Sequence, residues 1–282
     1  MEILCVCVEI PIFTRVLKQL QNTMKTAQIA AQLYTCRDLL KTPSDIAITL
    51  HRIREVGYTA VQVSGMGPIP EDELMAILDR EGLVCCATHE GSEEILSNPG
   101  KVVERLHKLR CKFTTYPFPQ DVDFGDEATV DQWIAKLDAA GAVLAAAGQV
   151  LCYHNHNHEF RKLGGTTIFE RIFAKTNPAH LQAEPDTYWV HYGGGDNVEW
   201  CGRLAGRLPL IHLKDYMTTA ENKPNYCEIG AGNLNFAKII AAAETSGCEW
   251  FIVEQDVCPG DPVDSLAQSF RYLTENLVSN NL

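Results

Sequence analysis

The sequence has no cluster of basic residues that could attract a polyanion. Its 282 residues include 24 Lys and Arg against 36 Asp and Glu, which gives a formal net charge of −12. A negative protein repels phosphodiester backbones, and proteins that bind nucleic acid normally carry basic patches. The composition therefore indicates that nucleic acid is not a partner.

Long apolar runs are also missing. No stretch approaches the roughly 20 apolar residues that a membrane-spanning helix needs. The first residues, MEILCVCVEIPIF, carry Glu2 and Glu9 and lack the basic leader of a secretory signal. We therefore expect no membrane association and a cytoplasmic location.

The 11 cysteines lack the spacing of a structural site. They are scattered and odd in number, and no two of them form a C-x-x-C pair. The sequence predicts buried, reduced thiols rather than disulfides or a thiolate-bound zinc.

What the chain does contain is an alternation of short apolar or β-branched runs with longer segments of helical period, from about Ala27 onward. Capping residues mark the ends of several helical segments: Thr42-Pro43, Pro70 with Gly82, Thr129 with Gln132, and Asp261-Pro262. We predict strands at Gln28–Tyr34, Ala60–Ser64, Leu83–Thr88, Lys112–Tyr116, Gln149–His156, His180–Pro185, Leu208–Lys214 and Trp250–Gln255.

Repeated β/α units of this kind form either an open doubly wound sheet or a closed barrel. The sequence contains neither G-x-G-x-x-G after the first predicted strand nor a G-x-x-x-x-G-K-[ST] loop. Their absence favours a single-domain (β/α)₈ TIM barrel, which commonly takes roughly 250 residues. We predict the barrel at residues 25–282 and an N-terminal extension at residues 1–24, outside the alternation.

Ionisable residues are dense where the third and the fifth to eighth predicted strands end, which is where barrel enzymes place their active sites. Alternate residues of a strand share a face, so several of these groups point into one volume. Burying them together is costly unless a cation compensates them. Nitrogen and oxygen donors of this kind suit Mn²⁺, Mg²⁺, Co²⁺ or Zn²⁺. The candidates are His89, His154, His156, Glu159, Glu184, Asp186, His212, Lys214 and Glu254.

In their order and spacing, six stretches between Gln28 and Leu273 resemble the xylose-isomerase-like barrels, a group also called sugar phosphate isomerases and epimerases. They are AAQLYTCRD, YHNHNHEF, EPDTYWVHYGGGD, LIHLKDY, EIGAGNLNF and FIVEQDVCPGDP. The resemblance implies one divalent metal held by Glu, Asp, His and Glu from strands five to eight. Asp186, His212 and Glu254 match this set. At strand five the chain has His154 in place of the usual glutamate, so either His154 or Glu159 completes the set.

The leading hypothesis is a metal-dependent isomerase or epimerase of a sugar or polyol, in which a proton next to a carbonyl leaves through a metal-bound enediolate. The predicted acid and base groups are Glu254, His154, His156 and Glu159, and the predicted substrate-binding groups are His89, Lys214 and Glu184. The alternative is a dehydratase or lyase that eliminates a β-substituent from a keto-sugar, keto-glycoside or inosose, because an imidazolium can protonate the leaving oxygen.

Two other functional classes fit the sequence less well. Endonucleases with this fold need three metals and a positive face, and a sugar-binding module would lack turnover. No arginine fork marks a phosphate site, so an unphosphorylated sugar or cyclitol is at least as good a substrate. The sequence leaves the oligomeric state, including a homo-oligomer, open.

Overall fold

The computed structural model describes residues 24–278. The predicted N-terminal extension therefore lies outside the described residues except for Met24, which is buried. Within residues 24–278, no helix is both long enough and apolar enough to cross a bilayer.

Eight parallel strands form the centre of the protein, and each overlaps one predicted strand. They are β1 Ile29–Gln32, β2 Ala60–Val63, β3 Val84–His89, β4 Phe113–Tyr116, β5 Val150–His154, β6 Leu181–Glu184, β7 Leu210–Leu213 and β8 Trp250–Val253. Their hydrogen-bonded order is β6-β5-β4-β3-β2-β1-β8-β7. The sheet therefore curls until its two outer strands, β6 and β7, face each other.

The seam between β6 and β7 is closed just beyond the end of β6. Asp186 and His212 form an isolated parallel bridge, and the His212 N–H donates to the Pro185 carbonyl at 2.9 Å. Farther along, the Thr187 hydroxyl donates to the Lys214 carbonyl at 2.8 Å and accepts from the Lys214 N–H at 2.9 Å. These contacts confirm the predicted TIM barrel, and they bring two predicted ligands together at the seam.

Helices follow the strands on the outside of the barrel. They are α1 Pro43–Val56, α2 Glu71–Glu81, α3 Ser92–Ser97, α4 Pro99–Lys108, α5 Glu127–Ala146, α6 Ile168–Lys175, α7 Thr187–Tyr192, α8 Asn197–Arg203, α9 Phe236–Thr245 and α10 Pro262–Asn276. Two antiparallel hairpins, Lys162–Leu163 with Thr166–Thr167 and Asp215–Thr218 with Pro224–Cys227, lie in the loops after β5 and β7.

Most of the predicted helix ends are confirmed. Thr42 caps α1 in a reciprocal box with Asp45, and Gly82 ends α2 in a left-handed conformation at φ 65°. The predicted box at Thr129 is wrong. Helix α5 begins earlier, at Glu127, because the Asp126 carboxylate accepts the N–H groups of Ala128 and Thr129.

Two apolar clusters hold the barrel together. The larger lies between strands and helices, and the smaller contains Ala30, Ala60, Cys152, Leu210 and Ile252. Alternate residues of a strand share a face. The residue two positions after each of these five residues therefore points to the same side of the sheet. Those residues are Gln32, Gln62, His154, His212 and Glu254. The strands thus carry apolar side chains first and polar side chains at their C-terminal ends. The described cysteines are free thiols, as predicted.

Candidate functional site

A cavity of about 500 Å³ opens at the C-terminal ends of the strands. The predicted site residues in its wall are His89, His154, His156, Lys214 and Glu254. The cavity wall also contains two aromatic side chains, Tyr34 and Phe118, and the carboxylate of Asp256. The cavity therefore coincides with the place where a barrel of this type binds its ligand.

Two imidazoles and two carboxylates converge on one side of this cavity. His154, Asp186, His212 and Glu254 are all buried, and each offers a donor atom within 4.8 Å of the others. Nδ1 of His212 lies 2.9 Å from Oε2 of Glu254 and 3.9 Å from Oδ2 of Asp186. Nε2 of His154 lies 4.0 Å from the same Asp186 oxygen. We refer to these residues as the ligand quartet.

The chemistry of the ligand quartet fits a divalent cation. Among residues 24–278, Oδ2 of Asp186 and Nδ1 of His154 are buried atoms that make no hydrogen bond, although the Lys214 ammonium forms an ion pair with Oδ2 at 3.1 Å. Oδ1 of Asp186, in contrast, caps α7 by accepting the Trp189 N–H at 3.0 Å. Burial raises the pKa of Asp186 to about 6. Buried carboxylates grouped with imidazole rings form an environment that a cation stabilises.

Lys214 already brings a positive charge to the ligand quartet. Its Nζ lies 2.8 Å from Oε2 of Glu254, 3.1 Å from Oδ2 of Asp186 and 3.0 Å from Oδ2 of Asp256. Burial works against the ammonium, but Asp186 and Glu254 raise the pKa of Lys214 well above its usual value. Burial likewise opposes ionisation of Glu254, whereas Lys214 and His212 hold the pKa of Glu254 well below its ordinary range. Lys214 is therefore bound to carboxylates of the site and is not paired with its neighbour Asp215.

Glu184 lies beneath the ligand quartet rather than in the cavity wall. It is fully buried, its Oε1 accepts from Nε2 of Gln62 at 2.7 Å, and its Oε2 accepts from Nε2 of His89 at 2.7 Å. Burial opposes ionisation, but His212 and His89 lower the pKa of Glu184 to about 2. The predicted substrate-binding residue thus has both oxygens engaged with the protein, while its partner His89 reaches the cavity.

Glu159 belongs to a different group. Its carboxylate is fully buried. Oε1 accepts from the Tyr153 hydroxyl at 2.8 Å, and Oε2 accepts from the backbone N–H of His156 at 2.9 Å. Nε2 of His158 lies 3.4 Å from Oε1. Of the two residues that the sequence offers at strand five, the structure thus brings His154 to the other quartet members and holds Glu159 against Tyr153 in the loop after β5.

His156 lines the cavity and has a ring that burial keeps neutral. It lies in the cavity wall, between Phe118 at 5.1 Å and Trp189 at 5.3 Å between ring centres. Burial lowers the pKa of His156 to about 4, and burial also lowers the pKa of His154 well below its usual value. Both imidazoles are therefore neutral near pH 7, so one can ligate a metal and the other can accept a proton.

Residues 50–276 match the family model of the xylose isomerase-like TIM barrel. The chain belongs to this family. It is similar to the inosose dehydratase of Geobacillus thermodenitrificans (strain NG80-2), with 24% identity over 191 residues that span 62% of this chain and 63% of that protein. It is also similar to the inosose dehydratase of Geobacillus kaustophilus (strain HTA426), with 23% identity over 252 residues that span 74% of this chain and 80% of that protein.

Several solved structures share the fold of this chain at low identity. A sugar phosphate isomerase/epimerase from Parabacteroides distasonis superposes with a TM-score of 0.77 at 21% identity, covering 91% of this chain and 96% of that one. A xylose isomerase-like TIM barrel protein from Mycobacterium smegmatis, in complex with magnesium, superposes with a TM-score of 0.69 at 15% identity, covering 91% and 100%. The proteins to which this chain is similar are therefore named both as isomerases or epimerases and as dehydratases.

Sequence reasoning missed one buried polar residue of this xylose isomerase-like barrel. Gln62 is fully buried and contacts both Glu184 and His212 from β2. It is uncharged and stands in the apolar run AVQV, so it carries neither a metal-ligand motif nor a titratable group. The available signal is that a buried amide inside a strand must be hydrogen-bonded.

Proposed function

We propose that the protein is a divalent-metal-dependent lyase that eliminates water or an alcohol from a cyclic keto-sugar, a keto-glycoside or an inosose. The observation that carries the proposal is the engagement of Glu159, whose two carboxylate oxygens bind the Tyr153 hydroxyl and the His156 N–H. The sequence favours isomerisation and offers elimination as the alternative, and this contact supports the alternative.

Epimerisation needs a proton-transferring group on each face of the substrate carbon. The resemblance implies glutamates from strands five and eight in that role, but here the strand-five end carries His154, and Glu159 is held in the loop. Glu254 also has protein partners, because its Oε2 forms ion pairs with both His212 and Lys214. Elimination requires only one group that takes a proton and returns it on the same face.

The residues of the ligand quartet, His154, Asp186, His212 and Glu254, would hold the cation. When bound, a divalent cation there supplies positive charge that stabilises the negative charge developing on the ketone oxygen. The matched magnesium-containing protein shares the fold, and the nitrogen and oxygen donors equally suit Mn²⁺, Co²⁺ or Zn²⁺.

His156 carries the proton. Its neutral ring takes the proton from the carbon next to the ketone, the electron pair of that C–H bond forms the new C=C bond, and the C–O bond at the β-carbon breaks. The protonated ring then returns the proton to the leaving oxygen, which departs as water or an alcohol. The Lys214 ammonium, at the cavity wall, adds positive charge near the oxygen that gains charge.

The relatives and the cavity favour an unphosphorylated ring. Both curated relatives are named inosose dehydratase, and dehydration of a cyclic ketone is elimination of this type. One lysine, Lys214, and no arginine are among the described residues that line the cavity. The ammonium of Lys214 is already bound by carboxylates. A phosphate normally needs a freer cationic partner.

Proton NMR in D₂O tests the proposal. The protein is loaded with Zn²⁺ or Mg²⁺, because these ions are diamagnetic and do not broaden the signals. Substrates are an inosose and a methyl 3-keto-glucoside. The expected result is an unsaturated ketone from either substrate, together with released methanol from the glycoside. An intact sugar that has gained solvent deuterium, or a new epimer, would overturn elimination in favour of isomerisation.

A further inference from the structure

Gln62 lies at the C-terminal end of the inner face of β2, beneath the ligand quartet, and its side chain joins two of the buried ionisable groups. Nε2 of Gln62 is 2.7 Å from Oε1 of Glu184, and Oε1 of Gln62 is 2.7 Å from Nε2 of His212. Gln62 does not line the cavity, so its amide acts through the residues that it contacts.

The orientation of the Gln62 amide follows from its other contacts. Glu184 is an ionised carboxylate, so its oxygen can only accept a hydrogen bond, and the Gln62 atom facing it must be the NH₂ group. On the opposite side, Nε2 of Gln32 donates to Oε1 of Gln62 at 2.8 Å. Both neighbours therefore require the same assignment, with the amide oxygen turned toward His212.

This orientation requires a proton on Nε2 of His212. A carbonyl oxygen accepts hydrogen bonds and cannot donate them, so the Nε2 atom of His212 at 2.7 Å must be protonated. Oε2 of Glu184, at 3.4 Å from the same Nε2, is a second acceptor that favours the proton there. Without a cation, Nδ1 faces the carboxylate of Glu254, which also only accepts, so both nitrogens carry protons and the ring is an imidazolium. A cation that replaces the Nδ1 proton leaves the Nε2 proton on its acceptors, and the free lone pair is then on Nδ1.

Nδ1 is also the nitrogen that faces the other members of the ligand quartet. It lies 2.9 Å from Oε2 of Glu254 and 3.9 Å from Oδ2 of Asp186. We propose that Gln62 is a positioning residue that holds His212 as the Nε2–H tautomer and thereby presents Nδ1 to the cation. The inference rests on the proposed metal site and is independent of whether the reaction is elimination or isomerisation.

The test compares Gln62→Met with Gln149→Met. Gln149 is also a buried glutamine, and its Nε2 donates to the Val103 carbonyl at 3.0 Å, away from the ligand quartet. Affinity for Mn²⁺ or Zn²⁺ alone is measured by competition with a chromophoric chelator, without substrate. Outer partners of metal-bound histidines typically contribute about 10- to 100-fold in affinity. We expect a loss of that size for Gln62→Met and no loss for Gln149→Met.

A second measurement uses the wild-type chain and does not depend on how a variant folds. In ¹⁵N-histidine-labelled protein loaded with Zn²⁺, long-range ¹H–¹⁵N correlation should show that Nε2 of His212 keeps its proton and that Nδ1 is the ligated nitrogen. A proton on Nδ1 with ligation through Nε2 would overturn the inference.

The outcomes separate this inference from the proposed function. If wild type and Gln62→Met bind the cation equally well, the inference fails and the lyase proposal stands. If wild type binds no cation at all, both fail. A metal-loaded wild type that isomerises rather than eliminates contradicts the proposed function alone.

Discussion

The ammonium of Lys214 lies 2.8 Å from the carboxylate oxygen of Glu254 that also faces His212. A second quartet oxygen, Oδ2 of Asp186, is 3.1 Å from the same Nζ. Two carboxylates thus share one lysine at the place where a cation would bind. Lys214 stabilises these charges in the absence of metal, and it competes with the cation for the same oxygens.

Removal of that charge should have opposite effects on binding and turnover. We expect Lys214→Met to bind Mn²⁺ at least about tenfold more tightly, because a unit charge a few Å away interacts by several kcal/mol even at an effective dielectric constant of about 20. Turnover should fall, since the ammonium no longer stabilises the developing oxyanion. Isothermal titration calorimetry and steady-state kinetics measure the two effects.

The matched control for this prediction is Lys112→Met. Lys112 pairs with Glu249 at 3.3 Å on the exposed surface, so the same substitution removes one charge far from the cavity. It should change neither quantity. Weaker metal binding by Lys214→Met would show that the lysine supports the site rather than competing with the cation.

The His156 ring should control turnover without controlling metal binding. We expect His156→Asn to lower kcat by about 100-fold or more, which is the usual effect of a lost acid–base group, with metal content unchanged. The measurement is single-turnover kinetics beside elemental analysis of the purified protein. His158→Asn is the control, because His158 lies in the same loop and does not line the cavity. Equal losses in both variants would assign the effect to the loop instead.

Glu159 should be structural rather than a ligand. In Glu159→Gln the amide oxygen can still accept the His156 backbone N–H, but the NH₂ group then faces the Tyr153 hydroxyl, whose proton loses its buried acceptor. We expect a loss of about 1–3 kcal/mol in the free energy of unfolding in urea, with metal content retained. Glu199→Gln, at an exposed position, should change neither. Loss of the metal from Glu159→Gln would place Glu159 among the ligands.

Asp215 holds the loop after β7 to the barrel. Its carboxylate accepts the N–H groups of Tyr216, Gly230, Gly232 and Leu234, at 2.8 to 3.2 Å. Asp215→Asn replaces one accepting oxygen with a donor that faces these N–H groups. We expect the free energy of unfolding to fall by about 2 kcal/mol, whereas exposed Asp264→Asn should have little effect. An unchanged unfolding midpoint for Asp215→Asn would contradict this role.

Strand positions and the inner faces of the strands were predictable because both depend on local periodicity. The alternation rule correctly groups His212 with Lys214 and brings His154 and Glu254 to one cavity. The bridge between Asp186 and His212 also follows from closing the barrel at β6 and β7.

What could not be predicted depends on loops and on uncharged side chains. Strand β5 ends at His154, so the return of Glu159 to Tyr153 depends on a short 3-10 turn that the strand pattern does not encode. The amide of Gln62 has no titratable signal, and its position between Glu184 and His212 requires the assembled barrel.

Anomalous diffraction from crystals of the Mn²⁺-loaded protein tests the central claim most directly. The predicted result is one manganese ion at roughly 2.0–2.3 Å from a nitrogen or oxygen of His154, Asp186, His212 and Glu254, with the carboxylate of Glu159 still bound to Tyr153. A manganese ion ligated by Glu159 in place of His154 would contradict it, because the strand-five glutamate would then be available and the case for elimination would be lost.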